Sequence, residues 1–111
     1  MPDEDRPPLV QFTPFARQDY DDLLLESLLT WGEAQMRRYE ARIERALRTV
    51  ARFPGSGRRR DELFPSCRSF PAGQHVVYYR PSANGIIISR ILRGRRDPEG
   101  AVVEAGEDES G

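Results

Sequence analysis

Apolar side chains between residues 13 and 53 recur at helical spacing, and from residue 67 to 92 they alternate instead. Ala16, Tyr20, Leu23, Leu24, Ser27, Leu28 and Trp31 share one side of a helical wheel, which predicts an amphipathic helix with that side buried. Thr13 followed by Pro14 is a start signal, a hydroxyl cap and then a residue whose missing N–H the first helical position does not need. Gly32 suits the position that ends this helix. Glu33 restarts the pattern, with Met36, Tyr39, Ile43, Ala46, Leu47 and Val50 as a second stripe and Pro54-Gly55 as its stop. Two amphipathic helices joined at one glycine form a hairpin. Leu25 and Leu29 lie away from the first stripe, and either pack on the second helix or meet a partner. Arg38, Arg42, Arg45 and Arg52 fall opposite the second stripe, as a solvated outer face or as a binding surface, and Glu44 is spaced to pair with Arg48.

After a loop from Gly55 to Pro65, three strands are expected at Cys67 to Phe70, His75 to Arg80 and Ile86 to Leu92. Pro71-Ala72-Gly73 and the Pro81 to Gly85 segment separate them as turns, so the strands form an antiparallel meander. Leu9 to Phe12 reads as a short edge strand. The sheet has an apolar face, and the helical hairpin is the element available to cover it. The fold class expected is therefore α+β, an N-terminal helical hairpin packed on a small antiparallel sheet. Residues 1–8 read as a flexible tail, 9–97 as the folded domain and 98–111 as an acidic disordered tail.

Length agrees with one domain: a chain of 111 residues buries roughly 65% of its unfolded surface in a single modest core. The apolar runs Leu23 to Leu25 and Ile86 to Ile88 fall far short of the ~20 residues of a membrane span. Asp3, Glu4 and Asp5 are incompatible with a signal peptide, so a soluble, unexported, cytoplasmic protein is expected. A lone Cys67 agrees with a reducing compartment. The net charge of −1 conceals a segregation. Residues 1–32 hold two arginines against seven acids, 33–57 six against three, 58–96 nine against two, and 97–111 none against six. Lysine is absent, so every cation is a guanidinium able to grip a carboxylate or phosphate with two parallel bonds.

Candidate chemistry is sparse. Cys67 and His75 are the one conventional pair of nucleophile and base, and as neighbours on adjacent strands they would generate a thiolate. No motif surrounds them, and one Cys, one His and scattered carboxylates give no metal-ligand spacing. No metal and no cofactor are expected. The cationic cluster is the stronger lead. Arg58, Arg59 and Arg60 precede the sheet, Arg68, Arg80 and Arg90 lie in its strands, and Arg93, Arg95 and Arg96 follow it. A meander gathers these segments into an electropositive rim suited to an acidic protein or nucleic acid. Arg68 and Arg90 have a second option, as buried partners of Asp19 or Asp22.

One family shares this arrangement. Thr13-Pro14-x-Ala16-x-x-Asp19, Trp31-Gly32-x-x-Gln35 with Tyr39, Pro54-x-x-Gly57, Asp61-Glu62-Leu63, Arg68-Ser69, Gly73, Tyr79-Arg80 and Ile88-x-Arg90-Ile91-Leu92-x-Gly94-x-Arg96-Asp97 resemble the ParE toxins of the RelE/ParE type II toxin–antitoxin superfamily. The likeness is ordered from Thr13 to Asp97. It implies a non-enzymatic toxin that inhibits DNA gyrase by binding, and a cognate ParD-like antitoxin that wraps it in a hetero-oligomer. Two departures stand out: Leu92-Arg93-Gly94 replaces the usual Leu-His-Gly, and Pro65-Ser66-Cys67-Arg68-Ser69 replaces Pro-Gly-Leu-Arg-Ser. The related RelE enzymes cut messenger RNA on the ribosome with cations and a proton-transfer group. Here His75 stands at the position resembling their mid-sheet arginine, and no Tyr follows Tyr79, which makes the nuclease the alternative reading. A further alternative is an inactive remnant that only binds antitoxin. Arg80, Arg90, Arg93, Arg95 and Arg96 are the expected target contacts. Leu25, Leu29, Arg38, Arg42, Arg45 and Arg68 are the expected antitoxin contacts, and the tail at 97–111 either screens the basic rim in part or serves only as a solubilising tail.

Overall fold

The computed structural model describes residues 7–94. Its elements are β1 (Leu9–Phe12), α1 (Pro14–Trp31), α2 (Glu33–Arg52), a 3₁₀ turn (Pro54–Ser56), β2 (Arg58–Arg59), β3 (Arg68–Ala72), β4 (His75–Ser82) and β5 (Gly85–Arg93). The expected tails at 1–8 and 98–111 fall almost wholly outside the described residues, as do Arg95 and Arg96.

Helix α1 begins as the sequence predicts. The Thr13 hydroxyl accepts from the Ala16 N–H at 3.1 Å, and Pro14 occupies the first turn. The same hydroxyl donates to the Ser89 carbonyl at 2.9 Å, so one side chain both caps the helix and pins it to β5. Gly32, at φ 91°, turns the chain directly from α1 into α2.

The α+β class and the hairpin on a sheet hold, but the sheet is mixed. Its order is β1-β5-β4-β3-β2, with β3, β4 and β5 antiparallel as expected and β1 joined parallel to β5. Leu9 lies so close to Gly85 that a Cβ there would come within 2.8 Å of the Leu9 backbone nitrogen, which a side chain does not permit. The expected loop at 55–65 also contains β2, a two-residue edge strand paired to Arg68 and Ser69. The hairpin turns are tighter than the proline positions suggest. Pro71 and Pro81 sit inside β3 and β4, opposite Val76 and Ile86.

Between sheet and hairpin lies the main core. It joins Ala16, Tyr20 and Leu23 of α1 and Ile43, Leu47, Val50 and Ala51 of α2 to Val77, Tyr79, Ile86, Ile88 and Ile91 of the sheet. Each aliphatic side chain fully removed from water contributes roughly 1.5–3 kcal/mol. The opposite face of the sheet is covered as well, by the segment between β2 and β3. Leu63 and Cys67 pack there on Tyr78 and Leu92, with Phe64 and Val76 beside them. The hairpin is thus not the only cover.

The first helical stripe is buried for only half its length. Leu28 is 38% exposed and Trp31 71%, because the last turns of α1 run beside a cleft and leave the sheet behind. Leu25 and Leu29 are 54% and 78% exposed, so neither packs on α2.

Candidate binding cleft

Where α1 leaves the sheet, a cleft of about 440 Å³ opens between the hairpin, the β3–β4 turn and the end of β5. Leu23 and Trp31 supply apolar wall, Arg38, Arg42 and Arg93 supply positive charge, and Tyr39 and His75 form part of the lining. A second groove, of about 340 Å³, runs between α2 and β3 and is lined by Arg42, Arg45, Ala46, Thr49, Val50 and Phe70. Arg42 belongs to both, so of the four arginines read as a solvated outer face or a binding surface, Arg38, Arg42 and Arg45 line grooves and Arg52 lines neither.

The Tyr39 hydroxyl lies 2.6 Å from His75 Nδ1 and accepts from the Gln74 N–H at 3.1 Å. Burial holds the imidazole below its ordinary value, with a smaller opposing pull from the Asp19 carboxylate, and burial raises Tyr39. His75 is therefore predominantly neutral at pH 7. Arg38 is tied to Gln35 Oε1 at 2.8 and 3.1 Å, whereas Arg42 makes no hydrogen bond or ion pair among the described residues. Arg93 is held by Glu26 across the cleft, in a pair whose two side chains are both about half exposed.

Among the described residues, Arg68, Arg80, Arg90 and Arg93 of the expected rim do not gather as one surface. Arg90 is inside: its guanidinium meets Asp19 at 2.6 and 2.9 Å, and it is only 11% exposed. This is the buried-partner option, with Asp19 as the acid. Arg68 donates to the Gly55 and Gly57 carbonyls at 3.2 and 2.8 Å, a use that shapes the loop before β2. Arg80 shares the side of Val76 and Tyr78, away from the helices, while Arg93 opposite His75 is on the helix side. Arg95 and Arg96 lie outside the described residues.

Cys67 and His75 do not form a dyad. The thiol is fully buried against Leu63, Tyr78 and Leu92, and the imidazole faces α2 across the sheet. Among the described residues no group of three or more His, Cys, Asp or Glu side chains is placed to hold a metal ion, and no helix is long and apolar enough to cross a membrane.

The Tyr39–His75 contact and the cleft around it escaped sequence reasoning. The recurrence of Trp31, Gln35, Arg38, Tyr39 and Arg42 along one edge of the hairpin is the signal that was available.

A two-helix hairpin laid across a five-stranded mixed sheet, with an arginine-lined cleft and exposed leucines at the end of α1, defines a small α+β domain built to bind a partner. The same fold occurs in a chain of the chromosomal ParDE toxin–antitoxin system from P. aeruginosa, with a TM-score of 0.64 over 78% of this chain and 96% of that one at 18% identity. Residues 10–98 match the family described as ParE toxin of type II toxin–antitoxin system, parDE. Toxin ParE1 of Mycobacterium tuberculosis is 35% identical over 68 residues, covering 60% of this chain and 69% of that protein. Toxin ParE of Escherichia coli is 31% identical over 86 residues, covering 77% and 84%. The chain belongs to the ParE toxin family of type II toxin–antitoxin systems.

Proposed function

We propose that this ParE toxin is held inactive by a cognate ParD-type antitoxin and, once released, binds DNA gyrase and arrests growth without breaking a bond itself. The observation that carries the partner reading is the exposed apolar surface at the end of α1, with Leu25, Leu28 and Leu29 on one side of the helix and Trp31 on the side of the arginine-lined cleft. Soluble proteins rarely leave such a surface open unless something covers it. An amphipathic antitoxin segment lies along that surface and the groove of Arg42 and Arg45. Family membership supports gyrase as the target, and the cytoplasm is where that target lies. The candidate target contacts at Arg80 and Arg93 stand on opposite sides of the sheet, so a gyrase surface that meets both would have to reach round the sheet.

Induction of the protein in cells tests the reading. Gyrase-dependent DNA breaks, abolished by co-expression of the antitoxin, are expected. Codon-linked fragments of messenger RNA without gyrase-dependent damage would establish the nuclease instead, and absence of growth arrest would establish an inactive antitoxin-binding remnant.

A further inference from the structure

We propose that Glu26 is an internal competitor for the antitoxin: it occupies Arg93 in the free toxin, and a carboxylate of the incoming partner takes its place. This rests on the antitoxin reading above.

The cleft itself indicates the chemistry of its occupant. Arg38, Arg42 and Arg93 all reach it, and the group already seated on one of them is a carboxylate, that of Glu26. Arg42 makes no hydrogen bond or ion pair among the described residues, which leaves a second guanidinium ready for an acid. Leu23 and Trp31 give the cleft an apolar wall, and Trp31 is largely exposed. The matching ligand is a peptide segment with a bulky apolar residue next to an acidic one. An apolar group enters against Trp31 while its acidic neighbour lies over Arg93 and Arg42.

Geometry makes Glu26 displaceable. Its side chain and that of Arg93 are 54% and 55% exposed, and the pair draws on no other hydrogen bond among the described residues. Exposed pairs of this kind contribute little, so exchanging one carboxylate for another in the same water-accessible place is nearly balanced. By contrast the Asp19–Arg90 pair is closed off from water and also binds backbone, so it is not available for exchange. Two carboxylates contact the β5 arginines from α1, and only one of them is free to leave.

The test is a double-mutant cycle on binding of the full-length cognate antitoxin, read by titration of the fluorescence of Trp31, the single tryptophan of the chain. Glu26→Gln is expected to tighten binding by about two- to fivefold at low salt, the range an exposed pair supports. Arg93→Gln is expected to weaken it by about tenfold. In Glu26→Gln/Arg93→Gln the gain from the first substitution should vanish, because the competitor then has nothing to compete for. The gain should also shrink at high salt. Thermal melts of each variant control for folding, and Arg93→Lys, which keeps the charge, should restore part of the affinity. Unchanged or weaker binding by Glu26→Gln overturns the inference while the antitoxin reading stands. A wild-type toxin that does not bind the antitoxin overturns both.

Discussion

Asp19 on α1 receives three donors at the end of β5: the Arg90 guanidinium at 2.6 and 2.9 Å and the Ile91 N–H at 3.0 Å. Strand β1 covers the outer edge of β5 only from Gly85 to Ile88, and beyond Ile88 the sheet would present bare backbone. Thr13, through Ser89, and Asp19, through Ile91, take over the edge that β1 leaves uncovered. Replacing Asp19 by Ala takes the α1 carboxylate away from a guanidinium that is 11% exposed, and a loss of about 3 kcal/mol is expected. Chemical denaturation measures it. The double variant Asp19→Ala/Arg90→Met should recover part of the loss, since it removes the guanidinium as well.

Tyr79 anchors the loop that leads into β2. Its hydroxyl donates to the Pro54 carbonyl at 2.7 Å and accepts from the Gly57 N–H at 3.0 Å. Tyr79→Phe keeps the ring in the core but leaves both groups without it, at a cost of about 1–3 kcal/mol. For a domain of this size that lowers the melting temperature by roughly 4–8 °C per kcal/mol, measurable by calorimetry. Gly57→Ala should damage the same place by crowding, because a Cβ there stands 2.9 Å from the Ser69 carbonyl oxygen.

His75 makes stability depend on pH. Burial depresses its folded-state value, so the unfolded chain binds the proton first as pH falls. Its contribution is complete above the ordinary imidazole value of about 6.5 and declines below it, until the folded-state value is passed. Tyr39, which approaches from α2, and Asp19, on α1, are the groups that set the environment. Melting curves taken from pH 7.5 down to 5 should show a fall that His75→Gln flattens. A fall of equal slope in that variant would assign the effect to other groups.

Leu29 should matter for the partner and not for the fold. It is 78% exposed, so Leu29→Asp is expected to change stability by no more than about 0.5 kcal/mol. On the antitoxin reading, the same substitution puts a charge among the exposed leucines of α1 and weakens the complex by about tenfold or more. Calorimetry of the free toxin and titration with antitoxin separate the two effects.

Local signals in the chain were reliable where they are self-contained. Thr13-Pro14, Gly32 and Pro54 mark the helix ends where they are found, because capping and chain-breaking act within a few residues. Alternation placed β3, β4 and β5, although the prolines drew the turns too wide. Apolar periodicity reports which side of a helix is greasy but not how far the sheet extends beneath it, so Leu28 and Trp31 read as buried. Pairing between distant segments leaves no periodic trace. The parallel seat of β1, the cover formed by Leu63 and Cys67, and the meeting of Tyr39 with His75 across 36 positions all arise from tertiary placement. The arginine cluster was legible as composition, but its distribution over two faces follows from strand parity and from the appetite of Asp19 and of the loop carbonyls for guanidinium.

Because β1 sits beside β5, the sheet closes by joining the first strand to the last, and the hydrogen bond from Thr13 to Ser89 spans 76 positions. Such non-local closure slows folding, since most of the chain must be gathered before the contact rewards it. On a translating ribosome the hairpin emerges long before the strand that completes its floor, so the native toxin cannot exist until β5 has left the exit tunnel. A delay between synthesis and potency is thereby written into the topology, and a partner already present at the ribosome meets the surface as it forms.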